Sequence, residues 1–539
     1  MSEEAISIKK ITVIGSGTMG AGIAQACAQA GYTVSLQDIQ GEQLAKAHGQ
    51  IIKFIRRGAE KGQYSSEEAE AAVNRLSSTT DLAEAVRGSD WVIEAIFENM
   101  AVKRELYAKL DEYCHPKACF ASNTSGLSIT ELGAASGRPE QFVGMHFFNP
   151  VPLMKLVEVI CGAESKAEVV EAAVKLGQNL GKTVVQCADS PNFIVNQINR
   201  PVYFEAQMMV QEGLTAQSID TAMRLGAGFK MGPLETGDMS GLEVGLSVSE
   251  NTLREFGDPK YRPMQIVRKL VRAGNVGRKA GKGFYLYSPG SDKPVPRFPD
   301  IALPQAQAPK AIAVPGEGPE ARRWRGKLSQ AGFEPVDLGA AELVLIAPEP
   351  GQDYKAFFNQ AALDTIPGTL LAVVNPYVSP TEMGAIVKRS EQTFGLFCPL
   401  PFVHDKFFEL AMGLETAPKA AAQMVALLNA LDYKYVITPE TPVGVTLRVI
   451  CCMVNEASFS LQEGLASVED IDTAMLLGMN YGMGPFQYAD MLGVDLVLKT
   501  LEHLQAETGD PRYRPAQLLR KMVRANRLGQ DTGRGFYEY

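Results

Sequence analysis

Residues 11–38 read ITVIGSGTMGAGIAQACAQAGYTVSLQD, and the punctuation of this stretch decides the fold. An apolar run, Ile11–Ile14, meets Gly15-Ser16-Gly17-Thr18-Met19-Gly20, then an alanine-rich segment of helical periodicity, then a second apolar run ending at Asp38. Strand, glycine turn, helix, strand is how a parallel α/β sheet begins. Gly15 permits the tight turn, Gly17 lets backbone approach a pyrophosphate, and Gly20 lets helix and strand pack closely. Thr18 and Met19 open the helix, whose first N–H groups and dipole favour an anion. A lone GxGxxG is weak, but strand before, helix after and an acid at position 38 make it a dinucleotide signature. At the end of its strand, the Asp38 carboxylate would accept bonds from ribose hydroxyls and repel a 2′-phosphate. The expected cofactor is therefore NAD, not NADP.

Further along, WVIEAIFENMAVKRELYAKLD (91–111) puts Glu94 and Glu98 at the end of a third apolar run, before a helix. Ends of parallel strands face the ligand crevice, so Glu98 and Lys103 are candidates for the nicotinamide-ribose side of the cofactor. A solvated helix start with an acid at its positive end fits the same spacing.

The chain has five histidines, and His146 sits inside the apolar run of GMHFFNPVPLMKLVEV (144–159). It reads as a satisfied core histidine, a metal ligand or a general base. No second histidine is near and no cysteine spacing suits zinc, so no metal is expected. FVGMHFF and LMKLVEVI both look like strands, joined by NPVP, which would set His146 beside Glu158. A carboxylate against an imidazole fixes its tautomer and raises its basicity, as deprotonation of a hydroxyl requires. The plain alternative for Glu158 is a strand acid facing solvent.

At 539 residues, with 46% hydrophobic and 21% charged residues, the chain reads as a soluble protein of three or four domains. No window approaches 18 apolar residues, and the N-terminus lacks a basic start and apolar h-region, so a cytoplasmic protein without a membrane span is expected. Eight cysteines with no CxxC pair read as reduced apolar fillers, and a net charge of −9 argues against nucleic acid.

The chain also repeats itself. Residues 211–244 recur as 462–496, and GDPKYRPMQIVRKLVRAGNVGRKAGKGFYLY (257–287) recurs as GDPRYRPAQLLRKMVRANRLGQDTGRGFYEY (509–539), at an offset of 251 or 252. That is a tandem duplication. The expected architecture is α/β: a Rossmann-type dinucleotide-binding domain (1–187) and an all-helical domain (188–287), then a Pro-rich linker (288–309). A degenerate second copy of both follows, at 310–436 and 437–539. In that copy Gly316 and Gly318 lie under Gly15 and Gly17, but Glu317 and Glu320 bring negative charge where phosphate would sit and Pro319 removes a donor. It is shorter by about 49 residues, and His146, Asn149, Ser125 and Asn196 align with Phe397, Leu400, Pro376 and Leu447. Only Glu158 keeps a counterpart, Glu409, so no second active site is expected. The second helical copy is expected to pack on the first as an intrachain pseudo-dimer, with a further homodimer left open.

VIGSGTMGAGIA, SNTSGLSI, VGMHFFNPVPLMKLVEV, DSPNFIVNQI and GPLETGDMSGLE together resemble the L-3-hydroxyacyl-CoA dehydrogenases, continuously over residues 8–287. The resemblance implies an NAD-dependent enzyme with an acyl-CoA substrate, His146 as catalytic base and Glu158 as its partner. It implies that Ser125 bonds the reacting oxygen, that Asn196 lies near the substrate, and that Asp38, Glu98, Lys103, Ser125 and Asn149 line the NAD site. Lys53, Arg56, Arg57 and Lys61 in KFIRRGAEKGQ (53–63) read alone as a solvated face; the resemblance makes Lys61 a contact for CoA phosphates. One competent module followed by a degenerate one is similar to the bacterial enzymes acting on 3-hydroxyadipyl-CoA in phenylacetate breakdown, with 3-hydroxybutyryl-CoA the competing substrate. A terminal carboxylate would call for a cation such as Arg224 or Lys230. The alternatives are a dehydrogenase of a free hydroxy acid or sugar acid on the same fold, and a non-catalytic, crystallin-like NAD-binding protein.

Overall fold

The computed structural model describes residues 6–291, 293–349, 352–400 and 406–539. The chain divides into two compact units, Met1–Ile198 with Phe459–Gly484, and Asn199–Ser458 with Pro485–Tyr539.

The first unit is built on strands β1 (Lys10–Ile14), β2 (Thr33–Gln37), β3 (Leu76–Thr79), β4 (Trp91–Glu94), β5 (Cys119–Ser122), β6 (Phe142–Phe147), β7 (Leu156–Cys161) and β8 (Thr183–Ala188). Their order is β3-β2-β1-β4-β5-β6-β7-β8, so the order reverses between β1 and β4. Ligands of open α/β sheets bind at that switch point, and the Gly15 turn lies there. Helices cover both faces, so the central strands are buried throughout: all of Trp91–Glu94 and Cys119–Ser122 are buried. The helix Thr18–Gln29 presents Gly20, Ala24 and Ala28 to the sheet, and a Cβ on Gly20 would lie 1.8 Å from the Gly15 carbonyl oxygen.

All pairings are parallel except β6 with β7. Residues 148–155 are too few for the parallel crossover, which takes roughly a dozen residues or more, so the chain turns straight back. The resulting register puts His146 directly opposite Glu158.

The second unit holds the helices Arg200–Gln211, Ala216–Gly226, Pro233–Ser240, Leu242–Phe256 and Gln265–Arg272, then an antiparallel pair of short strands, β9 (Tyr285–Leu286) and β10 (Val295–Pro296). The Pro-rich stretch 288–309 thus carries a strand, and Asp300 within it accepts a hydrogen bond from the Thr215 hydroxyl. A six-stranded sheet follows, β11 (Ile312–Ala313), β12 (Leu343–Ile346), β13 (Leu370–Val373), β14 (Thr393–Phe397), β15 (Phe407–Met412) and β16 (Lys434–Pro439), in sequential order. Among the described residues this sheet has no counterparts of β2 and β3, where the second copy is shorter.

The duplication extends to single hydrogen bonds. Asp238 accepts from the N–H groups of Phe284 (3.0 Å) and Tyr285 (2.9 Å), and Asp490 from those of Phe536 and Tyr537, both at 2.8 Å. The helix Ala216–Gly226 of the first copy packs on β15 and β16, the second copy's sheet. Conversely, the second copy's helix Val468–Gly478 packs on β7, β8 and the short helix Val195–Ile198.

Both helical copies also meet inside the second unit. Arg448, fully buried, donates to Glu205 (2.7 Å) and through both terminal nitrogens to Glu212 (2.8 Å each). Lys260 pairs with Glu456 at 2.9 Å. Removing one member of a buried ion cluster strands the other charge, a loss of about 3–5 kcal/mol. Arg448→Met is therefore expected to lower the urea midpoint of the second unit substantially. A midpoint equal to the parent's would mean that Glu205 is not held by this arginine.

Candidate active site

His146 reaches Glu158 directly: Nδ1 and Oε2 are 2.5 Å apart, with the imidazole 9% exposed and the carboxylate wholly buried. The other carboxylate oxygen accepts from the N–H groups of Ile194 (3.1 Å) and Val195 (2.9 Å), where the chain enters the helix Val195–Ile198. The rings of Phe148 and Phe193 flank the imidazole at 4.6 and 5.8 Å between centroids. A carboxylate fixed by two backbone donors accepts the hydrogen bond of Nδ1–H, which leaves the Nε2 lone pair free to act as the base.

Ser125 is exposed in the loop after β5, with Glu98 beneath it. Glu98 Oε1 accepts from the Ser125 N–H (2.9 Å), the Ser125 hydroxyl (3.3 Å) and the Thr124 hydroxyl (2.6 Å). Lys103 is 1% exposed and lies between two acids, 2.7 Å from Glu94 and 3.2 Å from Glu98. Burial alone would raise the Glu98 carboxyl; the Lys103 charge and the hydrogen bonds from the Thr124 hydroxyl, the Ser125 N–H and Lys103 outweigh it and hold the group below the usual range. The Asn196 amide donates to the Ser125 carbonyl at 3.4 Å. Asn123 accepts from the Phe147 N–H at 2.9 Å, tying this loop to the end of the strand that bears His146. Ser125, Asn196, His146 and Glu158 thus form one connected group, and Asn149 lies exposed just beyond β6. Sequence reading did not find the Ile194 and Val195 donors or Ser122, which donates to Glu94 at 2.7 Å. SNTSG after a strand marks a polar turn, whereas nothing in FIVN distinguishes two backbone donors.

The residues of the glycine turn fit a dinucleotide. Gly15 has φ +98°, and a Cβ there would lie 2.5 Å from the Ala95 carbonyl oxygen; a Cβ on Gly17 would meet nothing within 4 Å. The helix Thr18–Gln29 has no side-chain cap, so the N–H groups of its first turn stay open for an anion. Asp38 is braced by the Ser16 N–H and hydroxyl, both at 2.8 Å, and by the Gln40 N–H at 3.0 Å. Gly15, Gly17, Thr18, Met19 and Gly20 would hold the diphosphate, and Asp38 the ribose. Lys61 is exposed at the end of the helix Gly41–Glu60, as are Lys53 and Arg57, while Arg56 is held by both oxygens of Glu70. In the second unit Arg224 is engaged by Glu235 at 2.8 Å, and Lys230 is exposed.

The second module has the turn without its openness. Gly316 keeps a φ of +95°, but Arg325 donates to the carbonyls of Val314 (2.8 Å) and Gly316 (2.7 Å). A Cβ on Gly318 would meet the Glu349 side chain at 2.7 Å. Phe397 stands opposite Glu409 in the register that pairs His146 with Glu158. With no imidazole beside it, burial pushes the Glu409 carboxyl up, against hydrogen bonds from Thr446 and Val445. A cavity of about 790 Å³ there is lined by Phe397, Pro376 and Leu447 at the positions of His146, Ser125 and Asn196.

An open glycine turn and an imidazole–carboxylate pair carried by one sheet are the parts of an NAD-dependent dehydrogenase with its acid–base group supplied by the protein. The model of the 3-hydroxyacyl-CoA dehydrogenase NAD-binding domain matches residues 10–190, and that of the C-terminal domain matches twice, at 193–287 and 445–539. The 3-hydroxyadipyl-CoA dehydrogenase of Escherichia coli K12 is 32% identical over 96% of this chain and 98% of its own length. The probable 3-hydroxybutyryl-CoA dehydrogenase of Bacillus subtilis is 44% identical over 52% of this chain and 98% of its own. The crystal structure of 3-hydroxybutyryl-CoA dehydrogenase from E. coli K12 superposes with a TM-score of 0.78 at 31% identity, covering 96% of this chain and 99% of that one. The chain belongs to the 3-hydroxyacyl-CoA dehydrogenase family.

Proposed function

We propose that the first module oxidises an L-3-hydroxyacyl-CoA to the 3-ketoacyl-CoA, with 3-hydroxyadipyl-CoA as the preferred substrate. The observation that carries the chemistry is the 2.5 Å contact of His146 with a buried Glu158. In this reading Nε2 of His146 takes the proton of the 3-hydroxyl, and Glu158 stabilises the imidazolium that forms. The Ser125 hydroxyl and the Asn196 amide steady the oxygen as it becomes a carbonyl. NAD, when bound, supplies the hydride acceptor. Ser125 turns its proton from Glu98 to the substrate, and Glu98 with Lys103 keeps the loop in position meanwhile. In the reverse direction imidazolium returns the proton.

The full-length likeness to the E. coli 3-hydroxyadipyl-CoA enzyme supports the dicarboxylic substrate, and the equally long likeness to the E. coli structure named 3-hydroxybutyryl-CoA dehydrogenase supports its competitor. Its test is steady-state NADH oxidation across a panel of 3-ketoacyl-CoA thioesters. A kcat/KM at least tenfold higher for 3-ketoadipyl-CoA than for acetoacetyl-CoA is expected; the reverse order assigns the butyryl substrate. Lys61→Ala is expected to raise KM for the acyl-CoA several-fold and leave KM for NADH alone; equal effects on both remove Lys61 from the CoA site.

The same reading keeps five segments, 1–187, 188–287, 288–309, 310–436 and 437–539. It takes the Arg448 and Lys260 clusters as the seam of an intrachain pseudo-dimer, with assembly of whole chains into a homodimer as a further step. Expression of residues 1–290 alone tests the seam: a fragment that stays soluble, monomeric and fully active would contradict it. No helix among the described residues is long and apolar enough to cross a membrane. The reading keeps a cytoplasmic location, which the absence of any disulfide among the eight cysteines supports.

A further inference from the structure

The dyad rests on backbone that the second copy touches. Glu158 is aimed by the N–H groups of Ile194 and Val195. The Val195 side chain meets the C-terminal end of the helix Val468–Gly478, more than 270 residues away in sequence, at a glycine. A Cβ on Gly478 would lie 2.8 Å from Val195 Cγ2, 3.2 Å from its Cγ1 and 3.0 Å from Leu156 Cδ2. Leu156 is two residues before Glu158 on β7, and alternate strand residues share a face. One glycine thus faces both the turn that donates to the catalytic carboxylate and the strand that carries it.

The segment around this helix is fastened to the same region. Ala188, at the end of β8, donates its N–H to the Leu465 carbonyl at 2.8 Å, and the Gln197 amide reaches the Ser460 hydroxyl at 3.3 Å.

The second module repeats the contact. A Cβ on Gly226, the counterpart of Gly478, would lie 2.5 Å from Thr446 Oγ1 and 2.9 Å from Phe407 Cε1. Thr446 occupies Val195's place and donates its N–H to Glu409 at 3.0 Å. Helix, glycine, N–H donor and buried glutamate recur in both halves, but only the first has an imidazole on the opposite strand.

We infer that the second module is a positioning element for the first module's active site, with Gly478 setting the Val195 turn that aims Glu158 at His146. The inference rests on the reading of His146 and Glu158 as base and partner. It gives a module with no dyad of its own a task in catalysis. Gly478 touches no reacting atom, so it is a positioning residue.

The internal repeat supplies the control. In the full chain, Gly478→Ala is expected to lower kcat for acetoacetyl-CoA reduction about 10- to 100-fold, with the Kd of NADH unchanged. Displacements of about 1 Å in a catalytic group have effects of this size. Gly226→Ala forces a methyl into the equivalent contact of the second module, with kcat expected within twofold of the parent. Val195→Ala, which opens a gap at the same contact, is expected to lower kcat about 3- to 10-fold. Val195→Ala with Gly478→Ala refills that gap and is expected to recover most of the parent's kcat, a non-additivity that mere destabilisation does not produce.

Equal effects of Gly478→Ala and Gly226→Ala on kcat would overturn the inference. So would losses from Val195→Ala and Gly478→Ala that multiply in the double variant. Should Gly478→Ala alone fail to fold, the double variant and Val195→Ala still decide: a double variant no faster than Val195→Ala alone refutes the coupling. Absence of 3-ketoacyl-CoA turnover in the parent chain would instead refute the proposed function, so the two failures are told apart.

Discussion

Glutamine in place of His146 is expected to lower kcat for NADH-dependent reduction of a 3-ketoacyl-CoA about 10³-fold, with NADH binding unchanged. Glutamine keeps a polar group near Glu158 but cannot exchange a proton at neutral pH, and positioned acid–base groups contribute 10²–10⁴-fold. The glycine turn and Asp38 are braced by Ser16 and Gln40, not by His146, so the cofactor site stays intact. Stopped-flow reduction of acetoacetyl-CoA, with NADH affinity measured by fluorescence, separates the two quantities. A loss under tenfold would assign the proton transfer elsewhere.

Glu158→Gln is expected to be nearly as damaging, about 10²- to 10³-fold in kcat. The amide oxygen can still accept from Ile194 and Val195, so the backbone of the site survives. The amide NH₂ then faces Nδ1 and donates to it, which puts the imidazole proton on Nε2. The base is left with no lone pair toward the substrate, a tautomer error known to disable imidazole bases whose geometry is intact. Glu158→Asp shortens the reach and is expected to retain more activity than glutamine. Glutamine matching the parent would mean that the carboxylate's charge has no part in catalysis.

The parts of the site that depend on short-range pattern were legible in the sequence. GSGTMG needed only its flanking strand and helix to be read, because the turn is local. The His146–Glu158 pair was legible because a strand's side chains alternate and NPVP leaves no room for a crossover; register then follows. The loss of the second site was visible in Phe397, Pro376 and Leu447, which cannot do proton or hydrogen-bond chemistry.

Contacts joining distant segments were not legible. The Ile194 and Val195 donors carry no side-chain signature. Glu98 and Lys103 were seen as acid and base near a strand end, but not Lys103's burial between two carboxylates. The duplication showed that helices 216–226 and 468–478 are equivalent, not that each packs on the sheet of the other copy. An offset in sequence says which residues correspond and is silent on which copy they touch.

The most direct measurement is NADH consumption by the full chain with acetoacetyl-CoA and with free acetoacetate, side by side. Turnover of the thioester, at least 10²-fold above that of the free acid in kcat/KM and lowered about 10³-fold in His146→Gln, is the expected result. Comparable turnover of the free acid, or thioester turnover lowered less than about tenfold in His146→Gln, would contradict the assignment of acyl-CoA chemistry to this dyad.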